Sequence, residues 1–134
     1  PHIIRGLGVG GHHTCALADG NVSCWGLNDL GQLGVNTTLR ASAQPVPVDC
    51  SGVLAGKRVT ALDAGAWHTC AIADGAVYCW GSNMHGALGS GLLSQWSSTP
   101  VAVDTSGVLH GKTVTHLSAT YGIRLGWRLR RRRA

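Results

Sequence analysis

The sequence predicts an all-β fold, a partial β-propeller, and three observations support this. A segment of 55 residues occurs twice in succession, and residues 8–62 match residues 63–117 at 30 of 55 positions without a gap. Each copy contains short apolar runs separated by glycine-rich turns. No segment shows the sustained 3.6-residue apolar spacing of an amphipathic helix. Long repeats that each hold several short strands are typical of propeller blades.

The most clearly predicted elements are two β-hairpins at equivalent places in the two copies. Each has an Asp-Gly pair, Asp19-Gly20 or Asp74-Gly75, between two mostly apolar runs. Asp-Gly is a strong signal for a two-residue hairpin turn. The hairpin strands are predicted at Thr14–Leu17 with Val22–Trp25 and at Thr69–Ile72 with Val77–Trp80. Further strands are predicted at Ile3–Leu7, Val46–Val48, Val59–Leu62, Val101–Val103 and Val114–Leu117.

The repeated motif is similar to a known one. It reads His-Thr-Cys-Ala, Asp-Gly, Cys-Trp-Gly, Asn, Gly-Gln-Leu-Gly and Pro-Val, and it resembles the regulator-of-chromosome-condensation repeat over roughly residues 3–119. In that family the repeat is offset from the blade. The resemblance therefore implies one complete four-stranded blade at residues 45–82, with part-blades at 3–26 and 100–119. The family usually closes a ring of seven blades, so we expect a fragment that meets further repeats or associates with itself.

The basic charge is concentrated at one end of the chain, which divides it into a repeat body (1–119) and an arginine-rich tail (120–134). The net charge is +5, but six of the eleven basic residues follow position 123. Residues 1–123 carry five basic and six acidic side chains, a balance of −1. Because the body has no surplus of basic residues, we predict no specific nucleic-acid binding by it. No apolar run approaches the ~18 residues of a membrane span.

The tail departs from the repeat in the middle of a motif. Ile123-Arg124 stands where the repeat pattern places His-Thr, and an arginine run follows. One explanation is a one-base frameshift, which would leave a tail that is disordered or foreign to the fold. The other is a genuine basic arm for nucleic acid or anionic lipid. We favour the frameshift because the break interrupts a motif.

Four of the five cysteines form two equivalent pairs, Cys15 with Cys24 and Cys70 with Cys79. A two-residue turn places the members of each pair directly opposite, at a non-hydrogen-bonded position where Cβ atoms are closest. One interpretation is a disulfide in each hairpin of an exported protein. The other is a set of small buried apolar residues in a reducing cell. Cys50 has Thr105 as its counterpart and is expected to be an unpaired thiol.

The repeated histidines, tryptophans and glycines are interpreted as structural. His13 and His68 precede the cysteines, but one His and two Cys per repeat match no standard zinc finger. A Cys–His nucleophile would not be expected in every copy. Trp25, Trp80, Gly26 and Gly81 lie inside the motif, so packing is their expected role. We therefore predict no catalytic residue, no metal site and no cofactor.

Function is expected where the two copies differ. Asp29-Leu30 aligns with Met84-His85, and Val35–Ala41 aligns with Ser90–Trp96 without similarity. These segments are predicted loops, and loops on a rigid scaffold commonly carry recognition. Trp96 aligns with alanine, so it is a contact candidate; packing on its own blade is the alternative.

We predict a non-enzymatic scaffold for an unknown protein partner. Members of the resembled family include an exported β-lactamase inhibitor, and the paired cysteines favour a bacterial extracellular or cell-envelope location. The alternative is a guanine-nucleotide exchange factor for a small GTPase, in the cytoplasm or nucleus. A hydrolase or metalloenzyme is disfavoured because the sequence shows no unique polar cluster.

Overall fold

The computed structural model describes residues 4–35, 40–83, 96–103, 112–119 and 123–129. In these ranges the chain forms β-strands joined by turns and contains no helix, and therefore no helix that could cross a membrane. The predicted all-β class is confirmed. The strands are β1 (Ile4–Val9), β2 (His13–Ala18), β3 (Asn21–Leu27), β4 (Ala41–Pro47), β5 (Val59–Ala64), β6 (His68–Ala73), β7 (Ala76–Ser82), β8 (Trp96–Ala102), β9 (Lys112–Ala119) and β10 (Ile123–Leu129).

The strands form three antiparallel sheets in chain order. The first sheet is β1-β2-β3-β4, the second is β5-β6-β7-β8, and β9 pairs with β10 in the third. Both Asp-Gly hairpins are as predicted. The turn residues have positive φ, at 55° and 79° for Asp19 and Gly20 and at 50° and 80° for Asp74 and Gly75. These are the left-handed conformations that a tight hairpin turn requires.

The grouping of strands differs from the predicted single blade at residues 45–82. The structure contains two complete four-stranded sheets, within residues 4–47 and 59–102. The chain leaves β3, loops out, and returns as β4 beside the same strand, with Leu27 opposite Ala41 and Cys24 opposite Val46. Because β4 completes the ladder of its own hairpin, it is not available to the next sheet.

The tail contributes a strand where disorder was expected. Residues 123–129 form β10, which pairs with β9 through Ile123 opposite Ala119 and Leu129 opposite Lys112. Apolar residues alternate along this segment, at Ile123, Leu125, Trp127 and Leu129. Such alternation is typical of a strand. Residues 123–129 thus form a strand, and the frameshift remains a hypothesis.

The sheets pack face to face in sequence. β1 and β2 contact β5, and β5 and β6 contact β9, so the second sheet lies between the other two. One core cluster lies between the first and second sheets. It includes Cys15, Leu17, Val22 and Cys24 from the first sheet and Ala71, Ala73, Tyr78 and Trp80 from the second. A second cluster, on the other side of the second sheet, comprises Cys70, Ile72, Val77, Cys79 and Val103.

Candidate interaction surface at one end of the sheets

The cysteine pairs lie inside the hairpins in the predicted register. Cys15 is directly opposite Cys24, and Cys70 is directly opposite Cys79. The sulfur atoms are 2.11 Å apart in the first pair and 2.16 Å apart in the second, and all four residues are fully buried. The pairs therefore belong to the scaffold rather than to an exposed site.

Cys50 is exposed and has no disulfide partner, as expected. It lies after β4 and lines a cavity of about 300 Å³ together with Val22, Leu54 and Lys57. The Lys57 ammonium donates a hydrogen bond to the Val53 carbonyl at 2.7 Å. It also lies 5.0 Å from the centre of the Tyr78 ring. Lys57 is thus already engaged by its own neighbourhood.

A buried polar network joins the first sheet to the second. The carbonyl oxygen of Gln32 accepts a hydrogen bond from the Thr69 hydroxyl at 3.1 Å and from the Trp80 indole N–H at 3.0 Å. The Thr69 hydroxyl oxygen also lies 2.7 Å from Nε2 of His13. Gln32, Thr69 and Trp80 are fully buried. His13, Thr69, Trp80 and the Gly-Gln-Leu-Gly loop at residues 31–34 therefore form the junction between the first and second sheets.

The hydrogen bonds determine the tautomer of His13. The single hydroxyl proton of Thr69 goes to the Gln32 carbonyl, so Nε2 of His13 must carry a proton and donate it to Thr69. Nδ1 is buried and has no hydrogen-bond partner among the described atoms. Burial, together with the nearby His68, lowers the pKa of His13 to about 4. The imidazole is therefore neutral at pH 7 and hydrogen-bonded within the junction between the two sheets.

Glycine is required where the Gly-Gln-Leu-Gly loop meets the second sheet. Gly34 has φ +69°, and a Cβ atom there would lie 2.8 Å from the indole nitrogen of Trp80. Gly81 has φ +104°, and a Cβ atom there would lie 2.6 Å from the Trp67 carbonyl oxygen. Gly26 takes the equivalent conformation in the first sheet, with φ +107°. These positions explain the repeated glycines as packing residues.

The copy-specific residues predicted to bind a partner are only partly described by the structure. Asp29 and Leu30 lie in the loop after β3, while Met84 and His85 fall outside the described residues. The Asp29 carboxylate accepts a hydrogen bond from the Gln32 amide at 3.1 Å, and the Leu30 N–H donates to the Gln32 side chain at 2.8 Å. The Gln32 side chain thus orders this loop.

The same loop reaches the first residues of β8. A Cβ atom on Gly31 would lie 2.7 Å from the Ser97 carbonyl oxygen, so the two backbones are in close contact. Trp96, the preceding residue, is 50 % exposed and begins β8. Asp29 and Leu30 therefore lie near Trp96, although the loop and the strand belong to different copies of the repeat.

Trp67 and His12 join this region and were not predicted as site residues. Trp67 is 38 % exposed, and its ring centre is 4.8 Å from that of His12 at a tilt of 38°. The backbone of Trp67 pairs with Ser82, whose own register partner is Trp96. The signal was available in the sequence because position 67 is Trp in one copy and the matching position 12 is His. We call His12, Asp29, Leu30, Trp67 and Trp96 the end surface.

The end surface is aromatic and weakly charged. Its rings can stack on planar or apolar groups, and its one carboxylate already accepts a hydrogen bond. Across the described residues, no group of three or more His, Cys, Asp or Glu side chains could hold a metal ion. The arrangement is therefore suited to non-covalent contact with a partner.

Comparison with known proteins gives a consistent family. The model for the regulator of chromosome condensation (RCC1) repeat matches residues 19–72 and 74–121, and a second model of this repeat matches residues 59–87. The human E3 ubiquitin-protein ligase HERC2 is 41 % identical over 83 residues. The human X-linked retinitis pigmentosa GTPase regulator is 32 % identical over 93 residues. These matches cover 60 % and 69 % of this chain but only 2 % and 9 % of the two relatives.

Solved structures of propellers share the fold. Prp20p from Saccharomyces cerevisiae superposes with a TM-score of 0.78 at 21 % identity, covering 91 % of this chain and 30 % of that one. Yeast RCC1 (Prp20) bound to Kap60 gives a TM-score of 0.81 at 20 % identity, covering 94 % and 30 %. The two four-stranded sheets are thus propeller blades. The chain belongs to the regulator of chromosome condensation (RCC1) repeat family.

Proposed function

We propose that this chain is a protein-binding part of a propeller and that its end surface makes the contact. The observation that carries the proposal is the convergence of copy-specific residues. Asp29, Leu30, Trp67 and Trp96 differ from their repeat counterparts and come from two copies, and the segments that carry them are adjacent at one end of the second sheet. Exposed tryptophans are enriched among the residues that dominate binding energy at protein interfaces.

The role that we propose is binding rather than catalysis. One propeller of similar fold, yeast Prp20p, is described in two solved structures by what it binds: Gsp1p and histones in one, and Kap60 in the other. The end surface of this chain offers rings and apolar atoms. His13, the buried histidine with the low pKa, lies at the junction between sheets and donates to Thr69. This buried junction holds the two sheets together, so the end surface is presented on a rigid support.

Site-specific photocrosslinking tests the proposal. A photoreactive benzoylphenylalanine at position 96 should give a discrete protein adduct in a proteome of the source organism, whereas the same group at position 53, which is also exposed, should not. Unlabelled chain should compete for the adduct, and unlabelled chain carrying Leu30→Glu should compete poorly. Equal adducts at positions 96 and 53, or equal competition by both chains, would reject the end surface as the contact.

A second candidate is regulation of a small GTPase by nucleotide exchange. It is favoured by the 32 % identity to a protein named as a GTPase regulator. Release of a fluorescent GDP analogue from a panel of small GTPases measures this activity directly. Acceleration of release by catalytic amounts of the chain would support exchange, and an unchanged rate across the panel would argue against it.

We also propose that the chain works in an oxidising compartment. Both cysteine pairs lie at bonding distance inside buried hairpins, and such disulfides persist mainly outside the reducing cytosol. Thiol counting on denatured protein, purified under alkylating conditions, should find one free thiol before reduction and five afterwards. Five free thiols before reduction would contradict this location.

A further inference from the structure

We propose that Asn21 is the attachment site of an N-linked glycan and that this glycan shields the free thiol of Cys50. The inference rests on the proposed oxidising compartment, because N-linked glycans are found on exported chains. Residues 21–23 read Asn-Val-Ser, which is the acceptor motif of an asparagine followed two positions later by serine or threonine. The sequence has one other such motif, at Asn36, which lies outside the described residues.

Asn21 is the asparagine best placed for modification among the three that the structure describes. It is exposed, and its side chain makes no hydrogen bond to another described residue. Asn28 and Asn83 are buried, and the side-chain oxygen of Asn28 accepts a hydrogen bond from the Leu33 N–H at 3.0 Å. Neither of these two has a hydroxyl residue two positions later. The motif thus falls on the asparagine whose amide faces solvent.

The motif lies at the tip of the first hairpin. Asn21 follows the Asp-Gly turn directly and is the first residue of β3. The next residue, Val22, is buried in the core cluster, whereas Asn21 is exposed. A glycan on Asn21 would therefore extend into solvent and displace no core side chain. Its counterpart Ala76 stays half-exposed although the first sheet packs against the second, so this position is accessible even where an adjoining blade is present.

Asn21 and Cys50 line the same cavity, which has a volume of about 300 Å³. Cys50 is exposed and has no disulfide partner. An unpaired thiol on an exported protein can form a disulfide with a second molecule. A glycan is bulky, so one attached at the rim of this cavity would restrict access to the thiol.

The acceptor motif and the free thiol occur in the same copy of the repeat. The second copy has neither of them. The residues aligned with Asn21, Ser23 and Cys50 are Ala76, Tyr78 and Thr105. The intervening core position is valine in both copies. The scaffold residue is therefore retained, while the motif and the thiol that it would protect vary together.

The modification is a group transfer to the side-chain amide. The donor is an oligosaccharide linked to a polyprenyl diphosphate. The amide nitrogen of Asn21 forms a bond to C1 of the first sugar, and the bond between C1 and the diphosphate oxygen breaks. The polyprenyl diphosphate leaves, and the amide loses one proton.

The glycan and the end surface lie at opposite ends of the first sheet. Asn21 begins β3, whereas Asp29 and Leu30 follow the last residue of that strand. At about 3.3 Å per residue, the strand separates its two ends by about 20 Å. The glycan therefore leaves the end surface open to a protein partner.

Peptide mass spectrometry of the protein isolated from its source organism tests the attachment. Asn21 should carry a glycan that peptide N-glycosidase removes. Ser23→Ala should abolish the modification although Asn21 is retained, whereas Ser23→Thr keeps the hydroxyl and should preserve it. Asn36→Gln removes the other motif and should leave the glycan on Asn21 unchanged.

Alkylation of the folded protein tests the shielding. Enzymatic removal of the glycan should raise the rate of Cys50 alkylation several-fold, because the thiol becomes accessible. Asn21→Gln should raise this rate equally and should increase the fraction of disulfide-linked dimers. Asn21→Gln combined with Cys50→Ser should form no such dimers.

The outcomes separate this inference from the proposals on which it rests. Unmodified Asn21 in protein whose Cys15–Cys24 disulfide is formed would overturn the attachment and leave the oxidising compartment standing. Unmodified Asn21 together with five free thiols would overturn both. A glycan on Asn21 whose removal does not change the alkylation rate would overturn the shielding. The photocrosslinked adduct at position 96 should be the same for Asn21→Gln, so the contact at the end surface is tested independently.

Discussion

The first and second blades have nearly the same motif but differ in how deeply it is buried. Every residue of β6 is buried, whereas burial alternates along the equivalent strand β2. Trp80 is fully buried and donates to Gln32, whereas its counterpart Trp25 is only partly buried. The first blade and its Gly-Gln-Leu-Gly loop cover one face of the second. Among the described residues, nothing covers the same face of the first blade.

The first strands of the two blades, β1 and β5, show the same difference. Ile4, Leu7 and Val9 of β1 are 62 %, 55 % and 64 % exposed. Val59 and Ala64, the counterparts of Ile4 and Val9, are each 5 % exposed. The exposed residues of β1 are at least as apolar as their buried counterparts in β5, so the burial of a repeated position is determined by its neighbouring blade. Stability should therefore respond differently to identical substitutions in the two copies.

The largest difference is expected for the repeated tryptophan. Trp80→Ala should lower the free energy of unfolding by about 3–5 kcal/mol, because it removes a fully buried ring and its hydrogen bond to Gln32. Trp25→Ala should cost roughly half of that or less, because its ring is already partly in water. Urea denaturation measures both. Equal losses would show that the two tryptophans are equivalent despite their surroundings.

Acid should weaken the junction between the blades through His13. Its pKa is about 4 in the folded chain and 6.5 in the unfolded chain, so between these values the unfolded state binds more protons. Stability should be greatest above pH 6.5 and should fall by up to about 3 kcal/mol as the pH approaches 4. Denaturation at a series of pH values measures this slope. His13→Gln retains a hydrogen-bond donor for Thr69 and should make the free energy of unfolding less dependent on pH. An unchanged dependence on pH would mean that other groups cause it.

A matched pair of glycines tests the contact between loop and blade. Gly34 and Gly56 have nearly identical φ values, +69° and +70°, but a Cβ atom on Gly34 would meet Trp80 and one on Gly56 would meet nothing within 4 Å. Gly56→Ala should cost about 1 kcal/mol from backbone strain. Gly34→Ala should cost about 2 kcal/mol more, because Trp80 must move. Thermal melts measure the stability of both variants. Equal losses of stability would mean that the loop moves away from Trp80 at little cost.

The smallest difference is expected for the disulfides. Both bonds join residues nine positions apart, and all four cysteines are fully buried. Replacing either pair by alanine should lower stability by about 2–3 kcal/mol, with the two values within about 0.5 kcal/mol of each other. Denaturation without reductant measures each loss. Strongly unequal losses would mean that the hairpins themselves differ between the blades.

Much of the fold could be predicted from the sequence because the relevant interactions are local. The Asp-Gly turns determined the hairpin register and placed Cys15 opposite Cys24 and Cys70 opposite Cys79. The grouping of strands into blades was mispredicted because it depends on the path of the chain between β3 and β4. The path depends on a contact between residues far apart in the sequence, because the loop after β3 docks on Trp80 of the second sheet before the chain returns as β4.

The candidate site was predicted only in part. Asp29, Leu30 and Trp96 were identified from divergence between the copies, and the structure brings their segments together. Trp67 was missed because it lies directly before the repeated His-Thr-Cys, outside the long divergent segments in which binding residues were sought. Its proximity to Trp96 follows from pairing across β7, which spacing along the chain does not reveal.

The docking of the Gly-Gln-Leu-Gly loop has a consequence for how such genes change length. The first 55-residue unit carries the loop that docks forward, the second carries the Thr69 and Trp80 that receive it, and both copies of the sequence have Thr and Trp at the receiving positions. In-frame duplication or deletion of a whole unit would therefore recreate a matching junction at its boundary and leave the others intact. An insertion or deletion of any other length would separate a loop from the Thr and Trp that receive it. The junction therefore favours changes in gene length by whole 55-residue units.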